Sequence, residues 1–191
     1  MKTNRYKFSI PVIGLLLLVA CSTRKNTFLS RNSHALSTKY NILYNGQIGL
    51  DKGIKNIESG NKDDFWHRLP IESMQINEEV AGTEKPINPD FELAETKATK
   101  AIQKHSMNID GREKNYQIDE AYLLLGKARY YDQRFIPALD AFNYILYKYP
   151  NSSNIYEAKI WREKTNMRLG NDGLVITNIS RLLKQRALSN Q

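Results

Sequence analysis

The sequence predicts an all-α protein, an array of helical hairpins (an α-solenoid) behind a cleaved leader and a flexible tether. Three observations indicate this architecture. A basic and then apolar stretch opens the chain and ends at its single cysteine. Farther along, apolar residues recur three and four positions apart, which is helical spacing. Short stretches rich in Gly, Pro and Asn separate these helical segments. We therefore divide the chain into a leader (1–20), a tether (21–33), an N-terminal helical region (34–117), one complete hairpin (118–150) and a second, degenerate and incomplete hairpin (151–191).

The leader has the features of a secretory signal. Residues 1–7 are basic, and residues 8–20 form an apolar run that contains one proline. This run is too short to cross a bilayer as a helix, which needs about 20 residues. A basic start followed by a short apolar run is typical of a signal peptide that is removed from the mature protein.

The apolar run ends in Leu18-Val19-Ala20-Cys21, which resembles a bacterial lipobox. In a lipobox the signal is cut before the cysteine, whose thiol then carries a diacylglycerol. A lone thiol in an exported protein otherwise needs a partner, so we predict lipidation at Cys21. The alternative is an ordinary signal peptide that happens to be followed by a cysteine. Two or more acyl chains anchor a protein stably, so the prediction is an anchored protein rather than a spanning one.

The formal charge of the whole chain is +8, of which Lys2, Arg5 and Lys7 in the leader supply three, so the mature chain carries +5. A modest positive excess suits contact with anionic lipid head groups or with an acidic protein partner. Nucleic acid would also suit this charge, but an exported lipoprotein does not meet it. We therefore predict a membrane contact through the lipid and no nucleic-acid partner.

Residues 22–33 are rich in Ser, Thr, Asn, Lys and Arg, a composition typical of a flexible tether. Helical spacing then predicts a helix over 34–59, with an apolar stripe formed by Tyr40, Leu43, Tyr44, Ile48, Leu50, Ile54 and Ile57. The glycines at 46, 49 and 53 indicate either two helices that meet near residue 46 or one helix packed closely on a neighbour.

The connector after this helix is rich in aromatic residues, and we expect Trp66 to pin it to the core, with a docking surface as the alternative. Residues 81–90 are predicted to be a loop from their Gly and Pro content. Start signals and a stripe of apolar residues predict a further helix over 91–106. Residues 107–117 are polar and are expected to form a loop.

The stretch from Ile118 to Pro150 contains two helical stripes separated by the polar residues 132–134. The stripes are Tyr122, Leu125 and Ala128, then Ala138, Phe142 and Ile145. Gly126 and Ala138 fall where two antiparallel helices would touch. Because a glycine inside a helix costs about 1 kcal/mol relative to alanine, close packing is the expected reason for Gly126.

This spacing resembles the tetratricopeptide repeat, which places an aromatic residue, Leu-Gly, Ala, Phe and Pro at set offsets in a unit of about 34 residues. The matching positions are Tyr122, Leu125-Gly126, Ala138, Phe142 and Pro150. The sequence departs at Arg129, where an aromatic residue is usual, and at Gln133, where a turn glycine is usual. A generic helical hairpin is the alternative. Residues 155–169 and 174–188 look like a second, degenerate repeat without the polar capping helix that such arrays need, so we expect an incomplete array, either a truncated gene product or the front of a longer protein.

No sequence pattern points to catalysis. The three histidines are far apart, and the chain has no phosphate-binding glycine loop and no nucleophile or zinc-protease motif. We therefore predict no enzyme, no catalytic residues, no metal, no small-molecule substrate and no cofactor beyond the lipid on Cys21.

The resemblance to the repeat implies a concave surface lined by the first helix of each unit. The matching residues, predicted to contact a protein partner, are Leu123, Lys127, Tyr130 and Tyr131. Aromatic and cationic side chains are common at binding hot spots. The alternative is that Tyr130 and Tyr131 pack against the next repeat.

Longer phrases of the sequence, at 29–31, 39–46, 100–107, 118–150 and 157–166, resemble the PorW/SprE lipoproteins of the Bacteroidetes type IX secretion system. The resemblance implies an outer-membrane lipoprotein with tetratricopeptide repeats, needed for type IX secretion and, in gliding species, for gliding motility. Its partners would be other proteins of the secretion machinery. The absence of an acidic run after Cys21 favours an orientation facing the periplasm. Two other functions stay open, an outer-membrane assembly lipoprotein that chaperones barrel proteins and a carbohydrate-uptake lipoprotein.

Overall fold

The computed structural model describes residues 22–76 and 85–189, and for residues 185–189 the backbone alone. The predicted leader, Cys21 and part of the loop predicted at 81–90 lie outside the described residues. The described part is mostly helical, which confirms the all-α prediction. The helices are α1 (Phe28–Leu36), α2 (Tyr44–Gly60), α3 (Pro89–His105), α4 (Ile118–Tyr131), α5 (Phe135–Lys148), α6 (Ile155–Arg168) and α7 (Asp172–Ser189).

A π-helical segment, Ser37–Leu43, joins α1 to α2, so that residues 28–60 form one long N-terminal helix. This helix begins at Phe28, where the sequence predicted part of a flexible tether. Thr27 has an extended backbone, and its hydroxyl accepts a hydrogen bond from the Ser30 amide at 3.2 Å, which is an N-cap. Ser30 is buried and donates to the Ser22 carbonyl at 2.8 Å. The polar composition of this segment predicted a tether, but a side-chain hydroxyl caps the start of a helix here.

The glycines of the long N-terminal helix lie against its neighbours, as in the second of the two alternatives. A Cβ on Gly53 would lie 2.3 Å from Cε1 of Phe91 in α3, and one on Gly46 would lie 2.7 Å from Cδ2 of Leu124 in α4. The predicted apolar stripe is consequently divided. Leu43 and Leu50 are buried beside the glycines, whereas Tyr40, Tyr44 and Ile48 remain exposed. The buried face of this helix is therefore the one whose glycines let its backbone approach α3 and α4 closely, and it is not the face with the largest apolar side chains.

The hairpin predicted over 118–150 is present as α4 and α5. A Cβ on Gly126 would lie 2.4 Å from Cε1 of Phe142, so the two helices approach each other at the expected position. The turn between the helices places Gln133 at a φ of 61°, the left-handed region that a glycine usually occupies. Successive helices along the chain pack on one another, α2 on α3, α3 on α4, α4 on α5, α5 on α6 and α6 on α7.

Two clusters of buried side chains form the core. The first lies between the long N-terminal helix, α3 and α4 and includes Leu50, Phe91, Ala98 and Leu124. The second lies between α4, α5 and α6 and includes Tyr130, Phe135, Phe142, Ile145 and Ala158. Both clusters share helix α4, which therefore lies at the centre of the molecule.

The expectation that Trp66 enters the core is wrong, since its side chain is 95% exposed. The connector that contains it, residues 61–76, is held instead by Met74 and Glu72. Met74 is buried in the second cluster, and Glu72 forms ion pairs with Lys164 at 2.5 Å and Arg168 at 2.6 Å. Met74 and Glu72, near the end of the connector, therefore attach it to the rest of the fold, which is the role predicted for Trp66.

Residues 107–117, predicted as a loop, contain a short antiparallel hairpin of β1 (Asn108–Ile109) and β2 (Arg112–Glu113). After it, the buried Asn115 amide donates to the Thr38 hydroxyl at 3.0 Å and to the His105 carbonyl at 2.9 Å. Asn115 thereby joins the hairpin to the π-helical segment and to the end of α3. Within residues 22–76 and 85–189, none of the helices combines the length and the apolar character that crossing a bilayer requires.

Candidate functional site

A groove opens between the long N-terminal helix and the pair α4 and α6. One wall presents Tyr40 and Tyr44, which are 60% and 62% exposed, and the other presents Leu123, Lys127 and Glu157. The groove has a volume of about 290 Å³. It continues into a wider polar depression of about 690 Å³ beside the β hairpin, and Lys39, Glu120 and Asn154 border both. These shared residues make the groove and the depression one continuous surface.

The structure brings two of the four predicted partner-binding residues to this groove. Both Leu123, which is largely buried, and Lys127 line the wall formed by α4 and α6. Tyr130 is buried and makes edge-to-face contacts with Phe135 and Trp161, with ring centroids 5.6 Å and 5.3 Å away.

Tyr131 is half-buried and stacks on Phe91, with ring centroids 5.9 Å apart. Tyr131 also makes an edge-to-face contact with Trp161 of α6, with ring centroids 5.8 Å apart. Both tyrosines therefore pack against the helix that follows the hairpin, and Tyr131 packs against α3 as well. Helix α4 lies between two core clusters, and this leaves only part of one face for a groove.

Lys127 is held in place by an ion pair and an aromatic ring. Its Nζ lies 2.6 Å from Oε1 of Glu157 and 5.4 Å from the ring centroid of Trp161. A cation over an indole ring is attracted by the ring quadrupole. The side chain of Lys127 is only 19% exposed, so its position is restricted before any partner arrives. The groove thus presents a preformed Lys–Glu pair opposite two tyrosines.

Glu120 lies where the groove meets the polar depression. Burial raises the pKa of Glu120 above its ordinary value, while the positive charge of Lys39 opposes this rise. Asp119, the preceding residue in the same helical turn, raises the pKa of Glu120 further through its negative charge. This end of the groove therefore combines an acid that ionises less readily with an exposed cation.

Sequence reasoning missed Lys39, Tyr40 and Tyr44. The signal was available, because a helix with glycines at 46, 49 and 53 buries its glycine face when it packs closely. The large residues away from that face must then remain exposed. The predicted stripe was too wide to be buried as a whole, and its exposed part forms one wall of the groove.

A polar cluster covers the part of α4 that the sequence predicted to be open. The Tyr130 hydroxyl donates to Oε2 of Glu72 at 2.6 Å, and Arg168 donates to the same oxygen at 2.6 Å. Burial opposes ionisation of Glu72, but hydrogen bonds from Lys164, Tyr130 and Arg168 outweigh it and lower the pKa of Glu72 to about 2. Burial also raises the pKa of Tyr130, as does its hydrogen bond to Glu72. The cluster joins the connector to α4 and α6 and closes this side of α4.

Two histidines that are 71 residues apart in the sequence meet between α1 and the end of α3. Nδ1 of His34 lies 3.0 Å from Nδ1 of His105, so one ring donates and the other accepts. Burial lowers the pKa of His105, and the charge of a protonated His34 would lower it further. His34 is itself buried. The pair joins α1 to α3, and no local sequence pattern could indicate it.

The comparisons with known proteins add no family to this description. No protein-family model matches the chain, and no curated protein matches it.

Proposed function

We propose that this chain is a lipid-anchored, non-enzymatic scaffold that holds a segment of another protein in the groove between its long N-terminal helix and α4. The observation that carries the proposal is the pair of exposed tyrosines, Tyr40 and Tyr44, opposite the preformed Lys127–Glu157 pair. Tyrosine supplies a large contact area at low entropy cost and is enriched at binding hot spots. A groove with both charges fixed and both tyrosines exposed suits an extended peptide segment better than a small molecule.

The scaffold would be a tetratricopeptide-like array. Its support is the close approach of Gly126 to Phe142, the left-handed turn at Gln133 and the packing of each helix on the next. Hairpins of this kind bury their apolar faces against stacked neighbours and expose a surface for ligands.

The biological setting that we propose is the type IX secretion system and its associated gliding motility. Its support is the lipobox at Cys21 together with the phrases that resemble the PorW/SprE lipoproteins. The protein would be attached to the outer membrane through Cys21 and would face the periplasm. Its partners would be other components of the secretion machinery.

The groove is tested by purifying the protein from native membranes after crosslinking and by quantifying the co-purified proteins by mass spectrometry. The test variant is the double substitution Tyr40→Ala with Tyr44→Ala. The matched control is Tyr147→Ala with Tyr156→Ala, which removes two exposed tyrosines that do not line the groove. We expect recovery of secretion-machinery components to fall at least tenfold in the test variant, because it loses two hot-spot side chains, and to stay unchanged in the control.

Equal recovery in both variants would reject the groove. Recovery of the barrel-assembly machinery in place of secretion components would favour the assembly lipoprotein, and saturable glycan binding would favour the uptake lipoprotein. Anchoring is tested separately by fractionating cells that carry Cys21→Ala. We expect this variant in the soluble fraction after a high-salt wash, which weakens electrostatic contacts with lipid, and its retention in membranes after that wash would reject the lipid anchor.

A further inference from the structure

The amino-terminal part of the mature chain contains basic residues and no acidic ones. From residue 22 to residue 50 it contains Arg24, Lys25, Arg31 and Lys39, and the first acidic residue of the whole chain is Asp51. Elsewhere in the chain acids and bases are mixed, as in the pairs of Lys52 with Asp90 and of Lys127 with Glu157. The absence of acids is therefore a property of this end of the molecule.

Helix α1 presents large apolar side chains to solvent at this basic end. Phe28 is 71% exposed, Leu29 is 73% exposed and Leu36 is 55% exposed. Leu29 and Leu36 lie two helical turns apart on the same side of the helix, with Phe28 beside them. We call these three residues the N-terminal edge. The opposite side of α1 is buried through Ser30, His34 and Ala35.

The N-terminal edge belongs to a helix that is fixed to the rest of the fold. Thr27 caps the helix, Ser30 bonds back to Ser22, and His34 contacts His105 in α3 at 3.0 Å. The apolar residues therefore keep a defined direction relative to the core. Arg24 and Lys25, both exposed, directly precede this helix.

We propose that the N-terminal edge lies against an anionic bilayer surface, with Phe28, Leu29 and Leu36 in the interface and Arg24 and Lys25 at the lipid phosphates. The proposal rests on the membrane anchoring proposed above, because the lipidation site at Cys21 is only three residues before Arg24. A helix with an apolar side and a basic flank is the usual form of an interfacial membrane contact. Juxtamembrane lysines and arginines add binding to anionic lipid. Complementary charge and the adjacent lipid together identify the bilayer as the surface that covers this edge.

This contact would orient the groove. Leu29 and Tyr40 are eleven residues apart on the long N-terminal helix, which corresponds to about 16 Å along its axis. The groove would therefore be held a short distance from the lipid head groups, and the side of α1 that contains His34 would face away from the membrane. A lipid on a flexible tether alone would leave the orientation free.

The contact is tested with the mature chain in which Cys21→Ser removes the lipid. Its binding is measured by co-sedimentation with vesicles of phosphatidylcholine alone and of phosphatidylcholine mixed with phosphatidylglycerol, at low and at high salt. We expect clear binding to the mixed vesicles at low salt and much weaker binding at high salt or without phosphatidylglycerol. The substitutions Phe28→Ser with Leu29→Ser should lower the partition coefficient by about tenfold.

Replacing the charges, with Arg24→Gln and Lys25→Gln, should lower binding to the mixed vesicles by roughly thirtyfold and leave the weak binding to neutral vesicles unchanged. Two matched controls keep the test specific. Leu174→Ser with Ile176→Ser changes exposed apolar residues of α7, and Lys55→Gln with Lys62→Gln changes exposed cations elsewhere. Both controls should bind as the Cys21→Ser chain does, and circular dichroism confirms that each variant is folded.

No binding to mixed vesicles, equal binding to both kinds of vesicle, or an equal loss in the controls would overturn the proposal. These results are independent of the test of the anchor. Vesicle binding can fail while Cys21→Ala still releases the protein from cell membranes, in which case the anchor stands and the oriented contact does not. The reverse result would reject lipidation and leave the contact in place.

Discussion

Replacing Gly126 with alanine tests the packing on which the central hairpin depends. The new Cβ would lie 2.4 Å from Cε1, 2.6 Å from Cζ and 2.9 Å from Cδ1 of Phe142. Phe142 is completely buried in the second core cluster, so its ring cannot move out into solvent to make room. Gly126→Ala must therefore separate α4 from α5 or force the ring into a strained rotamer.

Two opposing free-energy terms determine how much Gly126→Ala changes the stability of the fold. Alanine is favoured over glycine inside a helix by about 1 kcal/mol, while overpacking a well-filled core costs roughly 1–3 kcal/mol. Because the ring is buried and the contacts are far below van der Waals distance, we expect the upper part of that range. The net loss in the free energy of unfolding should be about 1–2 kcal/mol. A change of this size would lower the Tm by several degrees in a protein of this length.

The assay is urea unfolding of the mature chain followed by circular dichroism, with Gly173→Ala as the matched control. A Cβ on Gly173 meets nothing within 4 Å, so this control should be unchanged or more stable by up to about 1 kcal/mol. Combining Gly126→Ala with Phe142→Leu should destabilise by less than the sum of the two single changes, because the smaller side chain relieves the clash. A Gly126→Ala variant as stable as the unsubstituted protein would refute the close approach of α4 and α5.

Three further predictions concern the connector and the turn of the hairpin. The pKa of Glu72 is lowered from 4.5 to about 2 in the folded state, so its contribution to stability is complete above pH 4.5 and disappears as the pH falls towards 2. The Glu72→Gln variant should therefore be less stable at pH 7 and should lose less stability on acidification than the unsubstituted protein. The check is urea unfolding at several pH values, and an equal loss of the free energy of unfolding in both proteins below pH 4.5 would contradict this prediction. Gln133→Gly should raise the midpoint of thermal unfolding, because φ is 61° there and relief of this backbone strain should exceed the loss of the exposed hydrogen bond from the Gln133 side chain to the Gln75 carbonyl at 3.1 Å; a midpoint lowered by several degrees would count against this reasoning. Asp132 is buried and accepts from the amides of Ile87 at 3.1 Å and Asn88 at 3.0 Å and from Arg134 at 2.9 Å. Asp132→Ala should accordingly cost about 3 kcal/mol in urea unfolding, and a loss below 1 kcal/mol would show that these bonds are dispensable.

The sequence predicted the central hairpin more accurately than any other part. The pattern over 118–150 predicted two helices with a close contact at Gly126, and α4 and α5 form with that contact. Helical periodicity and the size of a glycine are local properties, so a single sequence is sufficient to reveal them.

The candidate site was predicted only in part, since Lys127 borders the groove and Tyr130 is buried. The hydroxyl of Tyr130 is covered by Glu72, which is 58 residues away in the sequence and lies in a connector without a regular pattern. From the sequence, the polar residues 132–134 were predicted only to separate the two helices. Asp132 in fact binds the backbone just before α3 and the buried guanidinium of Arg134. Such long-range polar contacts have no periodicity and cannot be inferred from spacing.

The sequence by itself determined where most helices form and where the central turn lies, because these follow from interactions between residues a few positions apart. The order of the residues alone also shows which end of the chain is basic. Only the tertiary structure decided which side of the long N-terminal helix is buried, which face of α4 stays open and which histidines meet. The apolar pattern of that helix allows more than one buried face. The choice among them depends on how closely its glycines approach α3 and α4, and that is a property of the packed molecule.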